Sequence, residues 1–457
     1  IILSLVLIGC KTADNDSDST FFGGEIINPK SSFVLFLKDD QVIDTLKLDE
    51  NNQFLKEFDD IEEGLYTFKH GNEFQYMYLE PADSILVRLN TWDFDESLVF
   101  SGKGSSKNEF LINLFLQNEM EEKAMSDFYR LEEEPFQEEL DSLLNVRLNL
   151  YNEFTQNEES ITEGFDKLIN VAIHFTLYRL KEIYPLYHKW DLKKDYFPDI
   201  SEEFYSFRKS IDLNDENLTS YYPYRNYIIS RLYHLSYQLA EMDPSKDDIT
   251  VNILNEINKN IHLENFRNNL LKSVFVNDFL KSGSTCSINE KALAVFLESC
   301  TNEESLKHVK DLVNDSQHVV NDQPLESFEV MDYQNVASDI NDLIAQNNAL
   351  IYFWSTDFMS SEYMVNRILY LEKKHPDIKF IGINVGTAFE DVSREPHLKK
   401  LNISNQFKLT ESSKAHHFLT SNYPRVILVN KNGIVTNGFT YLDSKLLHNE
   451  LKKLEIH

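Results

Sequence analysis

The last third of the chain alternates short apolar runs with helical patterns, and that alternation limits what it can fold into. Residues 349–354 form a run without a charged position, which reads as a strand buried on both faces. A helical pattern follows over 361–374. Residues 378–385, Ile-Lys-Phe-Ile-Gly-Ile-Asn-Val, make a second run, with apolar side chains on both faces as a central parallel strand requires. A short helical stretch leads to a third run at 423–430, and Lys431-Asn432-Gly433 turns it into Ile434-Val435 as a hairpin. Residues 443–454 read as a closing helix with Leu446, Leu447, Leu451 and Leu454 along one face. The order is that of an α/β domain over 324–457.

The junction between the first strand and its helix, residues 351–362, reads Ile-Tyr-Phe-Trp-Ser-Thr-Asp-Phe-Met-Ser-Ser-Glu. It resembles the Phe-Trp-Ala-x-Trp-Cys-x-x-Cys signature of the TlpA/ResA-like thiol–disulfide oxidoreductases, which have a thioredoxin fold. Phe353 and Trp354 match, and Ser355 is small where the family has Ala. Asp357 stands for the second Trp, Phe358 for the nucleophilic Cys and Ser361 for the resolving Cys. A phenyl ring does not ionise, and a serine hydroxyl is far too basic to act as a thiolate in disulfide exchange. The resemblance therefore implies a C-terminal thioredoxin-like domain with a degenerate redox site at Phe358 and Ser361 and no catalytic residue. It also implies a cis peptide at Pro424 and a groove for extended peptide lined by Trp354, Asp357, Tyr423 and Pro424.

At the other end, residues 1–8 are almost unbroken apolar, so the chain is expected to begin inside a signal peptide. Leu7-Ile8-Gly9-Cys10 resembles the lipobox of bacterial lipoproteins, which implies that Cys10 is lipidated. The polar stretch 11–20 has the composition of a flexible tether. Several acyl chains on one Cys give durable anchoring where a single chain does not. The membrane is thus an expected partner, reached through lipid. The other cysteines, Cys286 and Cys300, flank a helical pattern at 287–298 that would hold them about 20 Å apart, too far to bridge. Two free, mostly buried thiols are expected.

A chain of 457 residues exceeds a single core and implies several domains. Short alternating runs at 33–37, 42–48, 54–58, 64–69, 74–79, 85–89 and 98–100, separated by turn residues, suggest a small sandwich. This region resembles the N-terminal β-domain found ahead of thioredoxin-like domains in Bacteroidota lipoproteins, on Gly24-Glu-Ile26, 43–49, 79–84 and 100–104. The stretch 105–323 looks helical, with breaks expected near Pro185, Pro198, Pro223 and Pro244 and a linker at 314–324. The expected class is multidomain: residues 1–21 as signal remnant, lipobox and tether; 22–104 as an all-β sandwich; 105–323 as a helical middle; 324–457 as the α/β thioredoxin-like domain.

A net charge of −31 argues against nucleic acid, because phosphate neutralisation needs an excess of Lys and Arg. His416-His417 is adjacent rather than i, i+4, so it is not expected to hold a metal, and no cofactor motif is present. Asp357 reads as a helix cap or solvated anion, and Ser360 or Ser361 as an N-cap before Glu362. Tyr221-Tyr-Pro-Tyr-Arg-Asn-Tyr227 reads as core in preference to a glycan- or protein-contact surface. The function expected is a redox-inactive, membrane-anchored, extracytoplasmic module that binds or assembles a cell-envelope protein, peptide or other ligand. A thiol–disulfide oxidoreductase of the resembled family and a structural assembly protein are the alternatives.

Overall fold

The structure, a computed structural model, describes residues 19–456 except 72, 159, 244–247, 282–287, 356–358, 387–396, 422–424, 443 and 445. The chain divides into two compact units, residues 1–242 and 243–457. That boundary falls inside the stretch expected as one helical domain. Its first helices belong with the strands before them, and its last helices with the α/β portion.

The first unit opens with eight strands: β1 (Thr20–Ile27), β2 (Phe33–Lys38), β3 (Gln41–Lys47), β4 (Gln53–Phe58), β5 (Gly64–His70), β6 (Glu73–Leu79), β7 (Ser84–Asn90) and β8 (Val99–Lys103). They form two four-stranded sheets, ordered β4-β1-β7-β8 and β3-β2-β5-β6. Strand β7 buries Ile85, Val87 and Leu89 while Leu86 and Arg88 face out, so period-2 alternation supplies one inward face. Phe22 joins the sheets, its ring 5.4 Å from Phe36 and 5.8 Å from Phe68 opposite. β1 is an addition to the seven strands expected. It runs parallel to β7 at the middle of its sheet, and Gly24 makes that approach possible: a Cβ there would sit 2.2 Å from the Val87 carbonyl oxygen.

The longer helices of this unit are α1 (Ser105–Ala124), α2 (Glu133–Asn157), α3 (Glu163–Asp191) and α4 (Tyr222–Met242). Asn108 of α1 accepts from the Tyr78 amide at 2.6 Å and donates to the Tyr78 carbonyl at 2.8 Å, doing for edge strand β6 what a further strand would do. Buried Arg147 of α2 clasps two neighbours. It bonds Asn118 and Glu121 of α1, each at 3.1 Å, and the Ile173 carbonyl of α3 at 3.0 Å. Pro185, expected to mark a break, lies inside α3. Its missing N–H and its ring disfavour a helix interior, but Leu180, Tyr184, Pro185 and His188 are all buried, and packing holds the helix through it. Tyr221, Tyr224 and Tyr227 are buried, so this tyrosine cluster fills core.

The second unit begins with α5 (Ile249–Asn260), α6 (Glu264–Lys281), α7 (Glu290–Ser299) and α8 (Glu303–His318). Its sheet contains β9 (Glu329–Met331), β10 (Ala337–Asp339), β11 (Asn348–Trp354), β12 (Ile378–Asn384), β13 (Gln406–Leu409), β14 (Arg425–Val429) and β15 (Val435–Tyr441), with helices α9 (Ile340–Ile344), α10 (Ser361–Lys374) and α11 (Leu447–Ile456). The order is β10-β9-β13-β12-β11-β14-β15. β11 pairs parallel with β12 through the α10 crossover and antiparallel with β14, which turns back as β15 before α11. That is the thioredoxin-like arrangement. Leu350, Tyr352 and Trp354 face α10 and α11, while Ala349, Ile351 and Phe353 pack with Phe328, Ile340 and Ile344 on the other side. The expected linker does not start at 314, because α8 continues to His318 and buries Asp315. Cys300 is a free, buried thiol just after α7; Cys286 lies outside the described residues.

Candidate functional site

The site is built where β11 delivers the chain to α10. β11 buries every residue from Ala349 to Trp354, so the chain leaves the sheet at a fixed point. Ser360 has extended backbone angles and its Oγ accepts from the Tyr363 amide at 3.3 Å, which starts α10 by satisfying one of its free N–H groups. Ser361 is therefore the first helical residue, and Glu362 adds an acid to the first turn, where the helix dipole favours it. Alongside, the Val385 amide donates to the Trp354 carbonyl at 2.9 Å, and Asn384 Oδ1 accepts from the Gly386 amide at 2.8 Å.

Of the residues expected here, Trp354 lies at the strand end and Ser361 at the helix start. Trp354 is buried, and its indole Nε1 has no hydrogen-bond partner among the described residues. Asp357, Phe358, Tyr423 and Pro424, with the peptide expected to be cis, lie outside the described residues, as does Cys10. Ser360 is used as a cap, and the Cys300 thiol lies 3.8 Å from the Asn302 carbonyl, in the helical part of the unit. The described groups here supply no nucleophilic thiol. His416 and His417 share a short turn, Lys414–His417, and His416 Nε2 bonds the Thr410 carbonyl at 2.9 Å. Among the described residues no group of three or more His, Cys, Asp or Glu side chains could hold a metal ion.

Two residues that sequence reasoning missed fix the chain on either side of 422–424. The fully buried Asp315 accepts from the Thr420 amide at 2.9 Å, the Thr420 hydroxyl at 2.6 Å, the Ser421 amide at 2.9 Å and the Ser421 hydroxyl at 2.7 Å. Arg425, also buried, donates to the carbonyls of Asp315 at 2.7 Å, Gly438 at 2.7 Å and Phe418. Its guanidinium lies 4.8 Å from the Phe439 ring centroid. The available signal was an arginine opening the otherwise apolar strand Arg-Val-Ile-Leu-Val. Nothing local marks Asp315, whose partners are 105 residues away.

No family model matches the chain, and no curated relative does. Solved structures to which it is similar include a thiol:disulfide interchange protein from a Bacteroides species, at 17% identity and TM-score 0.25, over 30% of this chain and 92% of that one. A thioredoxin domain of a thiol-disulfide oxidoreductase from Bacteroides vulgatus matches at 15% identity and TM-score 0.23, over 29% of this chain and 96% of that one. A thiol peroxidase from Chromobacterium violaceum matches at 17% identity and TM-score 0.22, over 30% of this chain and 87% of that one.

Proposed function

We propose that this chain is a lipid-anchored, extracytoplasmic thioredoxin-like protein without thiol–disulfide activity, which holds a cell-envelope protein or peptide beside the start of α10. The observation that carries the reading is chemical. The junction from Ser355 to Ser361 contains no cysteine, and the one described thiol, Cys300, is buried elsewhere. Disulfide exchange needs an accessible thiolate. The anchor rests on Leu7-Ile8-Gly9-Cys10 alone.

Purified protein should reduce neither insulin nor glutathione disulfide above the reagent blank. A clear catalysed rate, abolished by Cys300→Ser or Cys286→Ser, would overturn the reading. In its host, the protein should fractionate with membranes and Cys10→Ala should abolish that; a wild-type chain found wholly soluble with an unmodified Cys10 removes the anchor.

A further inference from the structure

The outer face of α10 is cationic, although the chain carries 75 acidic residues against 44 lysines and arginines. Met364, Val365, Ile368 and Leu371 turn into the core, so Tyr363, Arg367, Tyr370 and Lys374, at i, i+4, i+7 and i+11, share the opposite side. Tyr363 and Tyr370 are each 49% exposed. The Arg367 guanidinium lies 5.8 Å from the Tyr370 ring centroid and the Lys374 ammonium 6.0 Å from it, so two cations gather at one ring. The acids of this helix, Glu362 and Glu372, lie about 100° and 180° around it from Tyr363, off this face.

α11 extends the cationic face. Its Lys452 is exposed, and its His448 Nδ1 lies 2.9 Å from Nε2 of His375, the buried C-cap of α10. Desolvation first, and then the charges of Lys452, His375, Lys374 and Arg367, hold His448 below its ordinary pKa, which sets those side chains around one imidazole. The carboxylates of α11 are engaged elsewhere: Glu455 lies 2.9 Å from His375 Nδ1, and Glu450 accepts from Asn437. Arg367 donates to the Leu442 carbonyl at 3.0 Å, which fixes its guanidinium between the two helices. Among the described residues, neither Lys374 nor Lys452 forms an ion pair.

The size and charge of this face narrow its partner. From residue 363 to 374 it runs about 16 Å, the length of about five residues of extended chain. Its potential reaches only about 8–10 Å through physiological salt. An anionic bilayer or a nucleic acid would also meet the rest of a chain of net charge −31 and be repelled. A short segment meets the cations alone. The two exposed tyrosine rings offer apolar contact that a free inorganic anion would not use.

We propose that this face of α10 and α11 docks a short acidic segment of a partner protein. Its carboxylates sit on Arg367, Lys374 and Lys452, and its backbone crosses Tyr363 and Tyr370. The surface is distinct from the strand-to-helix junction, and the proposal holds whether or not Cys10 is lipidated.

Fluorescence anisotropy with a fluorescein-labelled decaglutamate peptide tests this on the full chain carrying Cys10→Ala. At about 50 mM salt, decaglutamate should bind and decaglutamine with the same label should not; about 300 mM salt should weaken binding several-fold. Lys374→Glu combined with Lys452→Glu should weaken it about tenfold, since an exposed ion pair contributes only a few-fold and two are here turned into repulsions. Lys123→Glu combined with Lys209→Glu makes the same change of net charge at exposed positions of the first unit and should leave affinity unchanged. Phosphatidylglycerol vesicles should not sediment the protein. No difference between the two peptides, equal losses in the two double variants, or sedimentation with the vesicles that the Lys374 and Lys452 reversals abolish would each overturn the proposal.

Discussion

Lys181 carries its ammonium 4.3 Å from the Phe204 ring centroid and 4.9 Å from that of Phe207, and burial lowers its pKa to about 8. The folded value lies below the ordinary 10.5, so between the two the unfolded chain holds a proton that the folded chain has lost. The contribution of this group to stability therefore rises with pH across that window; below it, folding must bury a charge. Lys181→Met keeps the apolar stem and removes the charge. It should be more stable than wild type at pH 7 in urea unfolding, and the gap should narrow as pH approaches 10.5. A gap that stays constant with pH would show that the ammonium is not the cause. The residues legible in the sequence share one property: their role is local. Ser360 caps α10 through an amide only three residues on, and Trp354 ends an apolar run. Arg147, Asp315, His234 and Arg425 were not legible, because each is defined by partners that only the fold brings near.

Elements were legible in proportion to their periodicity. The helix expected at 361–374 is α10 residue for residue, and the all-apolar run at 349–354 is β11 less its first residue. β1 was missed because its central Gly23-Gly24 interrupts alternation, and Gly24 makes room for a parallel neighbour about sixty residues on in sequence. Pro185 misled in the opposite sense, since local propensity gave way to packing around α3. The edge of β6 offers a test of how one element closes another. Asn108→Leu has similar volume but leaves both the amide and the carbonyl of Tyr78 unmet. It should cost about 2–4 kcal/mol, two buried polar groups at 1–2 each. Asn108→Asp keeps an acceptor but sets a buried carboxylate against the Tyr78 and Gly104 carbonyls that the amide now serves, and should cost more in the same denaturant series. Equal losses would mean that the paired amide geometry is not what holds α1 to the strand.

At the scale of the molecule, the break expected near Pro244 falls beside the unit boundary at 242/243, but that it divides two units was not legible, because helical periodicity is the same on both sides of it. What separates the units is which core each helix joins. Ile112 of α1 belongs to the sandwich core, whereas α8 binds its Asp315 to Thr420 and Ser421 beside the α/β sheet. Each unit thus has its own core and its own buried arginine. Units built this way unfold as separate cooperative transitions, so calorimetry of the whole chain should resolve two. Arg147→Ala strands Glu121 and should destabilise the first unit by roughly 3 kcal/mol, the typical loss on breaking a buried pair. Arg425→Leu leaves carbonyls of Asp315, Phe418 and Gly438 unmet and should destabilise the second unit by about 3 kcal/mol. The first substitution should lower one melting temperature and the second the other. A single transition shifted alike by both variants would show that the two cores fold as one.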